Sequence, residues 1–379
     1  MKKMHILIFR PDNIGDVLLF SGALEPLRNL FPEAHITLGV QAGVLNMMEL
    51  CPHVDRCISI NDLTWRGRMA FLENPALSGP GRIIRYLNRL WNRCFAPFDL
   101  IIYPVKSPQV AHLQLLSELR ADRVIGMAGC SLNEPSGGYP VGLLTERLFT
   151  EYLDVSGLDP WRHELLTTLD FLRYLGCEVS TTDEILPAFW LPAGGDSLLS
   201  GGGEGETIIG IFPGGSSREK CWPPANYYNL ARLMDFSPHY VIFGGASDGD
   251  LSREVASSFR KVVPAGKVTD MTGQTSLQEL IKCIRSCDLC IGMDSSALHM
   301  AVAADVPSIG IVGGWHYGRF VPWGNPDRHI FLTHEMSCFN CKRPCSDQSV
   351  ACVEGVTPEE VAVAVNDLLK QIEVPDDCK

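Results

Sequence analysis

The chain alternates short apolar runs with longer segments of helical periodicity. Residues 5–9 (HILIF) have the length and composition of a buried strand, and 15–30 carry apolar residues at helical spacing. Further strand-like runs follow at 35–40 (HITLGV), 56–60, 99–103 (DLIIY) and 122–126 (DRVIG), with helical patterns between them. Residues 193–206 (AGGDSLLSGGGEGE) interrupt the alternation. They are rich in Gly and poor in large apolar side chains, and read as an interdomain linker. The alternation then resumes, with strands expected at 207–212 (TIIGIF), 239–243 (HYVIF), 288–292 (DLCIG) and 307–311 (PSIGI). Helices are expected at 224–234, 249–259, 276–286 and 295–304. A last helix, 358–371, follows Thr357-Pro358-Glu359-Glu360, where Thr caps, Pro suits the first position and Glu360 closes a capping box. The pattern predicts an α/β protein of two domains, 1–192 and 207–356, each a parallel sheet with helices on both faces, plus a C-terminal helix and tail over 357–379.

Composition supports that division. At roughly 150 residues per domain, 379 residues make about two. Hydrophobic residues at 46% and charged ones at 20% suit a folded globular chain. No apolar run reaches the ~18 residues of a membrane-spanning helix. The opening MKKMHILIFRPDNIGD passes straight from an apolar run into Asp and Asn, so it reads as a first strand rather than a signal peptide. A net charge of -12 argues against nucleic acid as a general partner. There are fourteen cysteines, ten of them scattered singly or in apolar stretches, where they read as small buried hydrophobes.

Candidate chemistry falls where strands run out. Arg10-Pro11-Asp12-Asn13-Ile14-Gly15-Asp16 joins the first strand to the first helix; Asp16 is either a reactive carboxylate at a strand's carboxyl end or a first-turn carboxylate that stabilises the helix. Phe212 to Pro224 (FPGGSSREKCWPP) places small residues, the hydroxyls of Ser216 and Ser217, and Lys220 before a helix. That arrangement suits a phosphate, although it is not a Walker A loop. Asp248-Gly249-Asp250 is formally a metal-binding DxD; Asp248 equally suits a ribose hydroxyl, or a helix cap. Asp294-Ser295-Ser296 opens the helix after strand 288–292, where free N–H groups favour a diphosphate. His299 in that helix reads more simply as a satisfied structural histidine.

Taken together, these segments resemble glycosyltransferase family 9, the bacterial ADP-heptose:lipopolysaccharide heptosyltransferases. The resemblance is carried by ILIFRPDNIGDVLLFSGALEPLRNLFPEAHI, FPGGSSREKCWPPANYYNLARL, FGGASD and MTGQTSLQELIKCIRSCDLCIGMDSSALHMAVAADVPSIGIVG. It implies a GT-B fold, two Rossmann-like domains facing each other across a cleft, and an inverting transfer of heptose from ADP-heptose to a lipopolysaccharide inner-core acceptor without a catalytic cofactor or metal. By resemblance, Asp16 is the catalytic base, with Asn13 and Gly15 beside it on the acceptor side. Lys220 faces the diphosphate, Ser216, Ser217, Asp294, Ser295 and Ser296 belong to the nucleotide-sugar site, and Asp248 meets the ribose. Ser295-Ser296 stands where the family commonly has Thr-Gly. A cytoplasmic protein at the inner face of the membrane is implied as well. Other readings of the same residues are a relative using another nucleotide sugar or a protein acceptor, a nucleotide-sugar epimerase of similar fold, and a non-catalytic binding module.

Two features stand apart. Cys338, Cys341, Cys345 and Cys352 put four thiols within fifteen residues, a set that suits a structural Zn or Fe ion, with free thiols or disulfides as alternatives. Some family members bind iron through such clusters. Residues 80–93 (PGRIIRYLNRLWNR) place Arg82, Arg85, Arg89 and Arg93 on one helical face, which suits an anionic membrane surface or acceptor phosphates, or simply a surface helix packed on the core.

Overall fold

A computed structural model describes residues 3–63, 98–130, 141–192, 199, 205–215, 218–341, 345 and 350–373. The basic segment 80–93, Ser216, Ser217 and most of the expected linker lie outside the described residues. The chain divides into two compact units, Met1–Trp190 and Leu191–Lys379.

The first unit holds β1 (His5–Phe9), β2 (His35–Val40), β3 (Arg56–Ser59), β4 (Phe98–Tyr103), β5 (Ala121–Ala128) and β6 (Glu151–Asp154) in one parallel sheet of order β3-β2-β1-β4-β5-β6. The second holds β7 (Ile208–Phe212), β8 (His239–Ile242), β9 (Val268–Asp270), β10 (Leu289–Met293), β11 (Ser308–Ile311) and β12 (His329–Leu332), in the order β12-β11-β10-β7-β8-β9. Read from β9, the second order repeats the first. In each unit the chain begins at a central strand, builds outward on one side, then returns to the centre and builds outward on the other. The reversal falls between β1 and β4 in one unit and between β7 and β10 in the other.

The central strands are apolar because both their faces are covered. Ile6, Leu7, Phe9, Ile101 and Tyr103 are buried in the first unit, as are Ile209, Ile211, Ile291 and Ile309 in the second. The expected strands all form, with ends shifted by a residue or two. Three strands escape the apolar-run reading: β6 (EYLD), β9 (VTD) and β12 (HIFL). Each lies at a sheet edge, where among the described residues one side of the strand meets no partner strand and a short sequence suffices.

The single helix expected over 15–30 is instead two, α1 (Ile14–Ser21) and α2 (Leu24–Leu30). Pro26 explains the break, since inside a continuous helix its ring would meet the carbonyl of Gly22 four residues earlier. Restarting at Leu24 places Pro26 in a first turn, where no N–H is needed. The break also lets Gly22 press against another segment: a Cβ there would lie 2.3 Å from the carbonyl oxygens of Ile185 and Leu186. Over α8 (Pro358–Glu373) the expected capping box forms, with Glu360 accepting from the Thr357 N–H at 2.7 Å and Thr357 Oγ1 from the Glu360 N–H at 3.2 Å. Among the described residues no helix is long and apolar enough to cross a membrane.

Gly22→Ala should therefore destabilise the first unit by roughly 2–3 kcal/mol, because two backbone carbonyls cannot withdraw from the new methyl group. Urea unfolding of the variant beside the parent protein measures it.

Candidate active site

In a parallel sheet, the reversal of strand order leaves a crevice at the carboxyl ends of the two central strands, since their following loops turn to opposite sides. In the first unit that crevice is bordered by the loops after β1 and β4. Arg10 ties them together. It is 7% exposed, and its Nη1 donates to the Pro104 carbonyl while its Nη2 donates to the Asp16 carbonyl at 3.3 Å. Its Nε lies 3.2 Å from Asp12 Oδ2, and the guanidinium sits over the Phe20 ring. Asp12 in turn faces His112 at 3.9 Å. Burial favours the neutral form of His112 and holds its pKa below the usual value. Asp16 falls in the first turn of α1, half-buried. Asn13 adopts the extended N-cap conformation, but its side chain makes no capping bond, and Gly15 is the second helical residue. The structure thus groups Asn13, Gly15 and Asp16 in one loop and helix start, and adds Arg10 as the residue that fixes it.

The second unit repeats the plan. After β7, Gly214 runs against Asp248, so that a Cβ would lie 2.9 Å from that carboxylate. The loop then makes a short turn at Arg218–Lys220 and is pinned by Trp222. This side chain is fully buried and donates from Nε1 to the Val356 carbonyl at 2.8 Å, while its backbone N–H lies 3.3 Å from Met293 Sδ. Pinning Trp222 sets the place of Lys220, whose ammonium rests 3.3 Å from the centroid of the Trp315 ring.

After β10, Asp294 turns its two carboxylate oxygens to two histidines. Oδ2 is hydrogen-bonded to His316 Nδ1, and Oδ1 lies 3.8 Å from His299 Nε2. Burial alone would raise the Asp294 pKa, but the bond to His316 and the charges of His316, His299 and Lys220 outweigh it and hold the carboxyl below its usual value. His299 is buried and accepts at Nδ1 from Trp323 Nε1 at 3.0 Å, with the two rings stacked. Its structural reading stands. Ser295 is the N-cap of α7 (Ser296–Ala303) by conformation, yet its hydroxyl makes no capping bond, and its Oγ is buried with no hydrogen-bond partner among the described residues. A hydroxyl and the free N–H groups of a helix start are all donors, the chemistry that suits an acceptor-rich ligand.

Asp248 and Asp250 point to separate tasks. Asp248 Oδ2 accepts from the Gly245 N–H at 2.8 Å, whereas Asp250 pairs with Arg253 and its side chain is 87% exposed. Lys220, Asp294, Trp315 and His316 line one pocket at the carboxyl edge of the sheet, and all four candidate cysteines border the same pocket. Cys352 Sγ accepts from the Gly314 N–H at 3.3 Å. Burial pushes its thiol pKa up, and nearby Cys341 and Cys345 add to the shift. By chemistry and by place the four thiols fit a soft metal ion, though among the described residues no three His, Cys, Asp or Glu side chains are assembled as ligands. Trp315 and His316 were missed in the sequence, although the signal was available: GGWHYGRF directly follows an apolar strand, at the same edge as the other motifs.

Residues 194–351 match the profile of glycosyltransferase family 9 (heptosyltransferase). This part of the chain, most of its second unit, is similar to that family. It is 27% identical over 170 residues to the lipooligosaccharide heptosyltransferase 2 of Campylobacter jejuni, covering 44% of this chain and 52% of that protein. The chain thus aligns to about half the length of that curated relative. The structure of Escherichia coli ADP-heptose lps heptosyltransferase II superposes with a TM-score of 0.67 at 18% identity, over 98% of this chain and 100% of that one. The dodecameric iron-containing heptosyltransferase TibC of enterotoxigenic E. coli, solved with ADP-D-beta-D-heptose, superposes with a TM-score of 0.54 at 13% identity, over 98% and 78%. The chain therefore has the GT-B fold anticipated from its sequence.

Asp294→Ala should strand two histidines and Lys220 without their counter-charge and lower stability by about 2–3 kcal/mol at pH 7. A carboxyl held below its unfolded value stabilises fully above about pH 4, and that contribution fades as pH falls through the folded value. Melting curves at pH 7 and pH 3 check the sign: the gap between parent and variant should narrow at pH 3.

Proposed function

We propose that this protein is a family-9 glycosyltransferase that transfers heptose from ADP-heptose to a lipopolysaccharide inner-core acceptor with inversion at the anomeric carbon. The observation that supports this most is the anion-ready edge of the second unit. The Lys220 ammonium, the unmatched Ser295 hydroxyl and the N-terminus of α7 all follow the two central strands, β7 and β10. A diphosphate is the ligand such an edge suits. By the sequence resemblance Ser216 and Ser217 belong to the same donor site, and Asp248, at the neighbouring strand end, accepts from the ribose hydroxyls. Like the named relatives, the protein would take a heptose donor and a lipid-linked acceptor, the latter met at a membrane surface.

In this reading, Asp16 takes the proton of an acceptor hydroxyl, with Asn13 and Gly15 shaping the approach. The oxygen attacks the anomeric carbon opposite the leaving group. The bond from that carbon to the diphosphate oxygen breaks, and its electron pair leaves on ADP. Lys220 and the N-terminus of α7 meet the growing negative charge in place, with no rearrangement at the moment of reaction. Separately, we infer that Cys338, Cys341, Cys345 and Cys352 hold one Zn or Fe ion that cross-links the loop leading to the last helix. Such an ion supplies stability and takes no part in the transfer.

Asp16→Asn should slow transfer by roughly 10²–10⁴-fold while ADP binding, measured in EDTA, stays as in the parent protein. Near-normal turnover of the variant would refute the base, and ADP binding that needs Mg²⁺ or Mn²⁺ would refute the metal-free donor site. Elemental analysis of protein purified without added metal should find about one Zn or Fe per chain, lost together with thermal stability on replacing Cys341 and Cys345 by Ser. Four fully titratable thiols in fresh protein would rule that site out.

A further inference from the structure

We infer that His316 is a second diphosphate-binding residue beside Lys220, and that Asp294 acts on the donor through it. The inference rests on the donor reading above and deepens it. Asp294 is poorly placed to bind an anion itself, because a carboxylate aimed at a phosphate repels it, and its two oxygens are already directed at His316 and His299. What the carboxylate does is hold an imidazole. An ionised carboxylate only accepts hydrogen bonds, so the nitrogen it meets, His316 Nδ1, carries a proton. The second nitrogen, Nε2, lies across the ring. It has no hydrogen-bond partner among the described residues and is not among their buried unmatched atoms.

Two aromatic rings flank the imidazole, and the backbone that carries it is also tied down. Trp315 packs against it at 4.5 Å between centroids, Phe320 meets it edge-on at 5.0 Å, and its backbone N–H donates to the Gly313 carbonyl at 3.2 Å. Its side chain nevertheless stays 24% exposed, so one edge remains open. That edge borders the pocket shared with Lys220, whose ammonium rests on the adjacent Trp315 ring. Among the described residues, the charged and titratable groups near His316 include Asp294, Lys220 in the same pocket, His299 on the other oxygen of Asp294, and Arg319 over the Phe320 ring. An incoming diphosphate brings negative charge to this pocket, which favours a proton on Nε2 beside the one on Nδ1. Nε2 then donates to a phosphate oxygen, and the interaction strengthens as the carbon–oxygen bond breaks and charge collects on the leaving ADP.

Calorimetry with ADP and with adenosine separates this role from a structural one. In His316→Asn the side-chain amide can still donate to Asp294, but nothing reaches the place of Nε2. ADP should bind roughly 10- to 100-fold more weakly, the usual worth of a charge-assisted hydrogen bond, while adenosine binding stays unchanged and reports a folded site. His316→Gln, which keeps the reach without the charge, should recover only part of the loss. Asp294→Asn should weaken ADP in the parent protein yet add little in the His316→Asn background, since the carboxylate works through the imidazole. ADP bound equally by the parent protein and His316→Asn overturns the His316 assignment and leaves the donor reading standing. Additive losses from the two sites overturn the role given to Asp294. A parent protein that binds no ADP overturns the donor reading and this inference together.

Discussion

A parallel sheet whose strand order reverses at its centre cannot cover the carboxyl ends of its two middle strands. The loops leaving those strands turn to opposite faces, and the gap between them stays open. Four of the candidate groups in this protein are placed by that constraint. Arg10 and Asp16 follow β1 beside the loop after β4, while Lys220 and Asp294 follow β7 and β10. The same strand order in both units gives each of them one such opening.

The openings are charged, and both are stabilised by neutralising the charge locally rather than by diluting it in solvent. In the first unit, Arg10 is held between two carbonyls and Asp12, and it carries the Asp16 backbone with it. In the second, Asp294 is surrounded by His316, His299 and Lys220. Removing one member of such a set leaves the rest desolvated and unpaired, so the arrangement resists piecemeal change. It also presets geometry: groups already fixed by their neighbours need not reorganise when a ligand arrives.

Aromatic side chains supply the rigidity that loops lack. Trp222 anchors the Lys220 turn to the core, Trp323 fixes His299, and Trp315 and Phe320 flank His316. Glycines allow the close approaches between these loops, as Gly214 does against Asp248. The four cysteines border the same pocket, so these side chains form part of the wall of the candidate donor site.

The sequence by itself determined the layers and the strand-end loops. Buried central strands need continuous apolar runs, and runs such as HILIF and TIIGIF are visible without neighbours, as is the capping box at Thr357. The motifs after those runs marked Asp16, Lys220, Asp248 and Asp294 for the same reason: a loop that follows a buried strand emerges at a sheet edge. What remained hidden depends on partners distant in the chain. The edge strands β6, β9 and β12 carry too little apolar sequence to announce themselves and form because an inner strand offers hydrogen bonds. Only the folded structure showed that Asp294 is occupied by His316, twenty-two residues on, or that Arg10 reaches across to Pro104. Local spacing fixes what a residue is able to do, but the partner that decides its charge and orientation comes from another strand end, and that is settled by the order in which strands pack.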